Sequence, residues 1–161
     1  MINSNKYRAF SLIELLVVVA IIGIMTTVAL VSMQKNKTQK EVEVAARAVA
    51  AAVREAQNNA LTGKNVTTPG CSYTFAYGTG PCVGNTKYCI SGCSTVQYVL
   101  QNGVTFLGSG KFDFAIPFGG ISGLSPDPLA IVLQKNSINY VVCVNSTGDV
   151  SDCAGSACPC P

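Results

Sequence analysis

From Leu15 to Met33 the chain carries no charged side chain. Nineteen consecutive uncharged and mostly apolar residues leave few options for how this part can fold. As a helix the run is about 28 Å long, close to the roughly 30 Å hydrocarbon thickness of a bilayer. A helix that is apolar all round needs lipid or other apolar helices about it. Lys6 and Arg8 precede the run with no acid beside them, which puts the N-terminus in the cytoplasm and the remainder outside. A cleaved secretory signal has a shorter apolar core followed by a small-residue cleavage site. Here the core is longer and no good A-x-A site follows. A plain single-span anchor and a helix that pairs with another chain both remain open. Glu14 favours the second. A carboxylate costs about 2.5–3.5 kcal/mol near the bilayer centre and less near an edge, and an anchor has no use for one.

Composition limits what the rest can do. The 161 residues allow one domain plus an appendage. Only 12% are charged, against roughly 25% in soluble domains, and the apolar run accounts for part of that shortage. Eleven Lys+Arg against eight Asp+Glu give +3, too little for a general nucleic-acid binder. Beyond Gly63 the charges are Lys64, Lys87, Lys111 and Lys135 against Asp113, Asp127, Asp149 and Asp152, a neutral set. There is no His, which excludes a His general base, the usual nucleophilic triads and the common His-containing zinc sites. The scattered acids suggest no catalytic pair, and Asp149 and Asp152 read as turn residues. No catalytic residue, metal site or cofactor is expected.

All eight Cys follow residue 70: Cys71, Cys82, Cys89, Cys93, Cys143, Cys153, Cys158 and Cys160. An even count confined to one segment reads as a disulfide framework in an oxidising compartment. An all-cysteine metal site is the competing reading, and the absence of any C-x2-C pair weighs against it.

Residues 34–62 repeat apolar side chains at Val42, Ala45, Ala46, Val49, Ala50, Val53, Ala56, Ala60 and Leu61, a helical stripe with spacings of three and four. Gly63 is a natural stop. The pattern predicts one helix from about Phe10 to about Thr62, apolar all round at first and amphipathic later. From residue 64 onward, turn-forming residues punctuate short β-branched and aromatic runs. Strands are expected at Ser72–Tyr77, Val96–Gln101, Val104–Leu107, Lys111–Ala115, Leu129–Gln134, Ile138–Val144 and Asp149–Asp152, with hairpin turns at Lys135–Ser137 and Asn145–Gly148. In Ile138–Val144, alternation puts Ile138, Tyr140, Val142 and Val144 on one face and Val141 and Cys143 on the other. Leu129–Gln134 is apolar on both faces and reads as a central strand.

Eight cysteines allow 105 pairings. Two pairings have a geometric case. Cys143 and Cys153 are symmetric about Gly148, so a hairpin turning there would oppose them at near bridging distance. Cys71 could meet Cys82 across the Tyr77–Gly80 loop. A bridge between Cys158 and Cys160 is disfavoured by the single residue between them.

The stretch Arg8-Ala9-Phe10-Ser11-Leu12-Ile13-Glu14-Leu15-Leu16 resembles the class III signal of type IV pilins and type II secretion pseudopilins: a short basic leader, a small residue, then Phe-[Thr/Ser]-Leu-[Ile/Val]-Glu and an apolar helix. The resemblance implies that a prepilin peptidase cuts after Ala9 and methylates the new amine of Phe10. It implies that Glu14 pairs with a neighbouring chain's N-terminal amine during assembly. Ala9 departs from the Gly usual at that place. Ala52–Gly63, and later Phe112-x-Phe114 followed by Gly119–Gly120 and Gly148, are similar to the GspH/FimT-type minor pseudopilins. Val31 stands where many filament-forming pilins carry a helix-breaking Pro, which points to a minor subunit.

The expected fold is therefore α+β and pilin-like. Residues 1–9 are a leader, 10–33 a transmembrane and assembly helix, 34–63 its amphipathic continuation, and 64–161 a disulfide-stapled antiparallel β domain. The expected function is a structural subunit of a type IV pilus or type II secretion pseudopilus, first held in the bacterial inner membrane and then assembled. The resemblance implies as partners the prepilin peptidase, other pilin or pseudopilin subunits, an assembly platform protein and its ATPase. The alternatives are a major pilin and a DNA-binding minor pilin. The second is disfavoured, because no Lys or Arg follows Lys135.

Overall fold

The computed structural model describes residues 11–64, 71–93 and 95–160, with the backbone alone for 28–32. The chain divides into two compact units, 1–37 and 38–161. Helix α1 (Leu12–Thr62) begins in the first unit and ends in the second. It stops where Gly63 takes φ +62°, and the Lys64 amide donates back to the Asn59 carbonyl at 3.1 Å. A glycine in the left-handed region closes the last turn in this way at little steric cost.

Among the described residues nine strands form two antiparallel sheets. The first runs β3 (Val96–Val99), β2 (Gly84–Ser91), β1 (Tyr73–Gly78), β5 (Gly110–Phe114) and β6 (Ile121–Ser122). The second runs β4 (Thr105–Phe106), β7 (Leu129–Lys135), β8 (Ile138–Val144) and β9 (Val150–Ala154). The fold is thus α+β, with a long N-terminal helix, antiparallel sheets and disulfides.

One core joins the second-unit part of α1 to both sheets. Val42, Ala46, Val49, Val53, Ala56 and Ala60 are buried along one helix face and share a cluster with Tyr73, Phe75, Phe112 and Phe114 from the first sheet and Ile131, Leu133, Val142 and Val144 from the second. Small helix residues let the backbone approach the sheets, and the large aromatics fill the space between. Polar contacts then fix the helix. Arg54 Nη2 donates to the Val150 carbonyl at 2.6 Å, Lys135 pairs with Glu41 at 2.6 Å, and the Tyr98 hydroxyl donates to Glu55 at 2.9 Å.

β2 and β6 were not among the expected strands. β2 reads G-N-T-K-Y-C-I-S, and its alternation of Thr86, Tyr88 and Ile90 was hidden by neighbouring turn residues. The turn at Asn136–Ser137 has positive φ at both residues, 48° and 64°, the twist-compatible form for a two-residue hairpin. β8 is buried on both faces. Val142 and Val144 meet the main core, while Val141 and Cys143 are buried outside it.

The expected disulfide pairings are corrected. Cys71 bonds Cys93, Cys82 bonds Cys89, Cys143 bonds Cys158 and Cys153 bonds Cys160. Cys143 does not meet Cys153 because the β8–β9 hairpin is centred on Thr147 rather than Gly148. Val144 faces Val150, so Cys143 faces Ser151 and Cys153 faces Val141. Cys71 does not meet Cys82 because the β1–β2 pairing, with Thr74 opposite Ser91, carries Cys71 toward Cys93 at the open end of the hairpin. Cys82 sits in a 3-10 turn (Gly80–Cys82) at the closed end, beside Cys89. Cys158 and Cys160 take different partners.

Candidate functional site

The first unit carries the candidate site. Ser11 precedes the helix, and its carbonyl accepts the amides of Glu14 at 3.0 Å and Leu15 at 3.3 Å. Glu14 therefore lies in the first turn, where the positive end of the helix dipole favours a carboxylate. Its side chain is exposed. Ala9 and Phe10 lie outside the described residues.

From Leu12 to Met25 every large apolar side chain is exposed. Leu12 is 82% exposed, Ile13 69%, Leu16 61%, Ile24 69% and Met25 70%. Consecutive positions on an α-helix are 100° apart, so these residues cover the whole circumference. An isolated soluble helix does not keep such a surface in water; it is a contact surface for apolar material on every side. Thr26 and Thr27 keep their hydroxyls on backbone carbonyls, at 2.7 Å each, and so present their methyls outward without an orphaned donor.

Residues 4–30 match the family model for the prokaryotic N-terminal methylation motif. The matched segment takes in Lys6, Arg8, Glu14 and the exposed apolar helix. The match supports a type IV pilin-like class III signal at the N-terminus. No curated protein and no solved structure matches the chain.

The membrane-spanning part of the expectation is corrected for the described residues: among them, no helix is long and apolar enough to cross a membrane. Leu15–Met33 is continuous and uncharged in the sequence, and the side chains of 28–32 lie outside the described residues.

In the second unit several polar and charged groups tie segments of the fold together. Hydrogen bonding from Lys40, aided by Arg47, holds the Glu43 carboxyl below its ordinary pKa against a smaller opposing effect of burial. Burial, then the hydrogen bond to Glu55, pushes Tyr98 up to about 12. The Thr74 hydroxyl donates to Asp113 and that of Tyr73 to the Lys64 carbonyl. Asp127 accepts the Ser146 amide at 3.1 Å, and Asn145 Oδ1 accepts the Asp149 amide at 2.8 Å. Asp127 thus ties down the β8–β9 turn, and Asp149 ends it. Among the described residues no group of three or more His, Cys, Asp or Glu side chains is placed to hold a metal.

The sequence reading missed Arg54, Glu41 and Lys135 as helix-fixing residues. Their partners are a distant backbone carbonyl and a distant turn, which leave no local signal. It also missed how closely the four C-terminal cysteines converge, although the dense spacing Cys153-x4-Cys158-x-Cys160 is visible in the sequence.

Proposed function

We propose that this chain is a structural subunit of a type IV pilus or type II secretion pseudopilus, built in through its N-terminal helix. The observation that carries the proposal is the methylation-motif match over residues 4–30, at the head of a helix whose apolar side chains are exposed all round. A prepilin peptidase removes the leader Met1–Ala9 and methylates the amine of Phe10. Before assembly, residues 10–33 hold the chain in the inner membrane with the N-terminus cytoplasmic. An assembly platform protein and its ATPase then draw it into a helical filament with other pilin or pseudopilin subunits.

Glu14 selects the register. Cleavage creates a cation at Phe10, four residues before the carboxylate. A charge left without a partner in apolar surroundings is penalised by several kcal/mol, so axially shifted copies settle where amine meets carboxylate. The likeness of Ala52–Gly63 to GspH/FimT-type proteins, and Val31 in place of Pro, support a minor subunit over the bulk pilin.

The test is Glu14→Val in the native host. The variant is expected to be cleaved, methylated and retained in the membrane fraction, yet missing from sheared filaments. Incorporation at the wild-type level would remove the pairing role. A wild-type chain that kept Met1 would remove the whole reading.

A further inference from the structure

We propose that the two C-terminal disulfides form a thiol–disulfide exchange site, at which four cysteine sulfurs trade between two pairings once an external thiol opens one bridge. The proposal stands on the second unit alone and does not depend on the assembly reading.

The hairpin register brings the sulfurs together. Val141 opposes Cys153 and Cys143 opposes Ser151, so Cys143 and Cys153 project from one sheet face as diagonal neighbours. The tail folds back over that face and bonds Cys158 to Cys143 and Cys160 to Cys153, with Cα–Cα distances of 5.8 and 5.6 Å. Cys143 Sγ and Cys160 Sγ, which belong to different bridges, lie 3.7 Å apart. Neither carries a proton to donate, so this is a non-bonded approach, about the van der Waals separation from which one sulfur attacks another.

Exposure decides where exchange begins. Cys143 is only 4% exposed, whereas Cys153, Cys158 and Cys160 are half-buried. A cavity of about 170 Å³ lined by Cys143, Asn145, Asp149, Ser151, Pro128 and Pro159 adjoins the bridges and leaves the tail room to shift.

The electron count closes. An external thiolate attacks Cys153, forms a mixed disulfide and releases the Cys160 thiolate. That thiolate attacks Cys143 Sγ, forms Cys143–Cys160 and releases the Cys158 thiolate. Cys158 attacks Cys153 of the mixed disulfide, forms Cys153–Cys158 and expels the thiol that entered. Two bridges go in and two come out, and nothing is oxidised or reduced overall. Exchange changes which tail residue is tied to buried Cys143, and so re-seats the last residues over β8. The third arrangement, Cys143–Cys153 with Cys158–Cys160, is disfavoured by the C-x-C spacing. The reagent class is a small thiol such as glutathione or a dithiol oxidoreductase.

Two experiments on the full chain test the site. In Cys158→Ser three of the four sulfurs of this cluster remain, and alkylation of the native protein identifies the free one. Exchange predicts label on both Cys143 and Cys153 after incubation with glutathione, with at least a tenth of it on Cys153. Label confined to Cys143 would overturn the proposal. In the wild-type chain, limiting glutathione followed by an acid quench and fragmentation of the linked peptides is expected to reveal Cys143–Cys160 and Cys153–Cys158 beside the original bridges. Cys71–Cys93 and Cys82–Cys89 should keep their partners. Persistence of only the original four bridges, or scrambling spread equally over all eight cysteines, would overturn the proposal even if the variant failed to fold.

Discussion

Replacing Phe75 by Ala tests the central packing claim. Phe75 is fully buried on β1, with the rings of Phe112, Tyr88 and Tyr77 at 5.3, 6.1 and 6.4 Å between centroids. Three rings border it, so truncation leaves a void that its rigid neighbours cannot fill. Phe→Ala changes of this sort cost about 3–5 kcal/mol. A unit of about 120 residues unfolds with roughly 0.25 kcal/mol/K of entropy near 60 °C, so the melting temperature should fall by about 12–20 °C. The disulfides lower the unfolding entropy, which makes the larger figure the better guide. Phe75→Leu keeps most of the volume and should cost under about 1.5 kcal/mol, a fall of about 6 °C or less. The assay is thermal unfolding of the full chain in detergent, followed by far-ultraviolet circular dichroism with all bridges intact. A shift under about 4 °C for Phe75→Ala, or equal shifts for Ala and Leu, would refute the reasoning, because it would mean that the ring is not enclosed.

Gly92→Ala should destabilise by about 2–6 kcal/mol, read as a lowered denaturant midpoint. Gly92 holds φ +134°, and a Cβ there would fall 1.8 Å from the Ser72 carbonyl oxygen; backbone strain and steric overlap contribute about 1–3 kcal/mol each. An unchanged midpoint would contradict the close approach of the two chain segments beside the Cys71–Cys93 bridge. Alkaline titration should show Tyr98, Tyr77 and Tyr88 ionising above the ordinary value of 10.0, with Tyr98 near 12. A raised folded pKa means the native state holds its proton more tightly, so this stability is present below pH 10 and is lost as the pH rises through about 12. Tyr98→Phe should flatten that alkaline loss, and phenolate absorbance at 295 nm reads the titration directly. Ionisation of all six tyrosines with a single midpoint at 10 would oppose the Tyr98–Glu55 contact.

Features that depend on near neighbours were legible from residue order. The helix from Leu12 to Thr62, its stop at Gly63, the turn at Asn136–Ser137 and most strands follow from periodicity and turn chemistry, which act over a few residues. The methylation-type N-terminus was legible for the same reason: a basic stretch, a small residue, Phe10, Glu14 and an apolar run sit in one short segment. β2 was harder because Gly84, Asn85 and Gly92 break its outline, and only its pairing with β1 and β3 makes it a strand.

The disulfide partners could not be obtained that way. A shift of the β8–β9 turn by one residue moves Cys143 from Cys153 to Ser151, and no local preference fixes that step. Both registers leave Cys143 on the same face, so burial does not choose between them; the step is decided only where the strands pair, with Val144 opposite Val150. Likewise Arg54, Glu41 and Lys135 become meaningful only when the helix lies against the sheets. Residue order alone settled that the chain has an apolar N-terminal rod with one acid in its first turn, followed by a cysteine-bearing β region, because charge and hydropathy are carried by each residue wherever it goes. Only the tertiary fold decided which sulfurs meet, because proximity between residues distant in sequence is a property of packing.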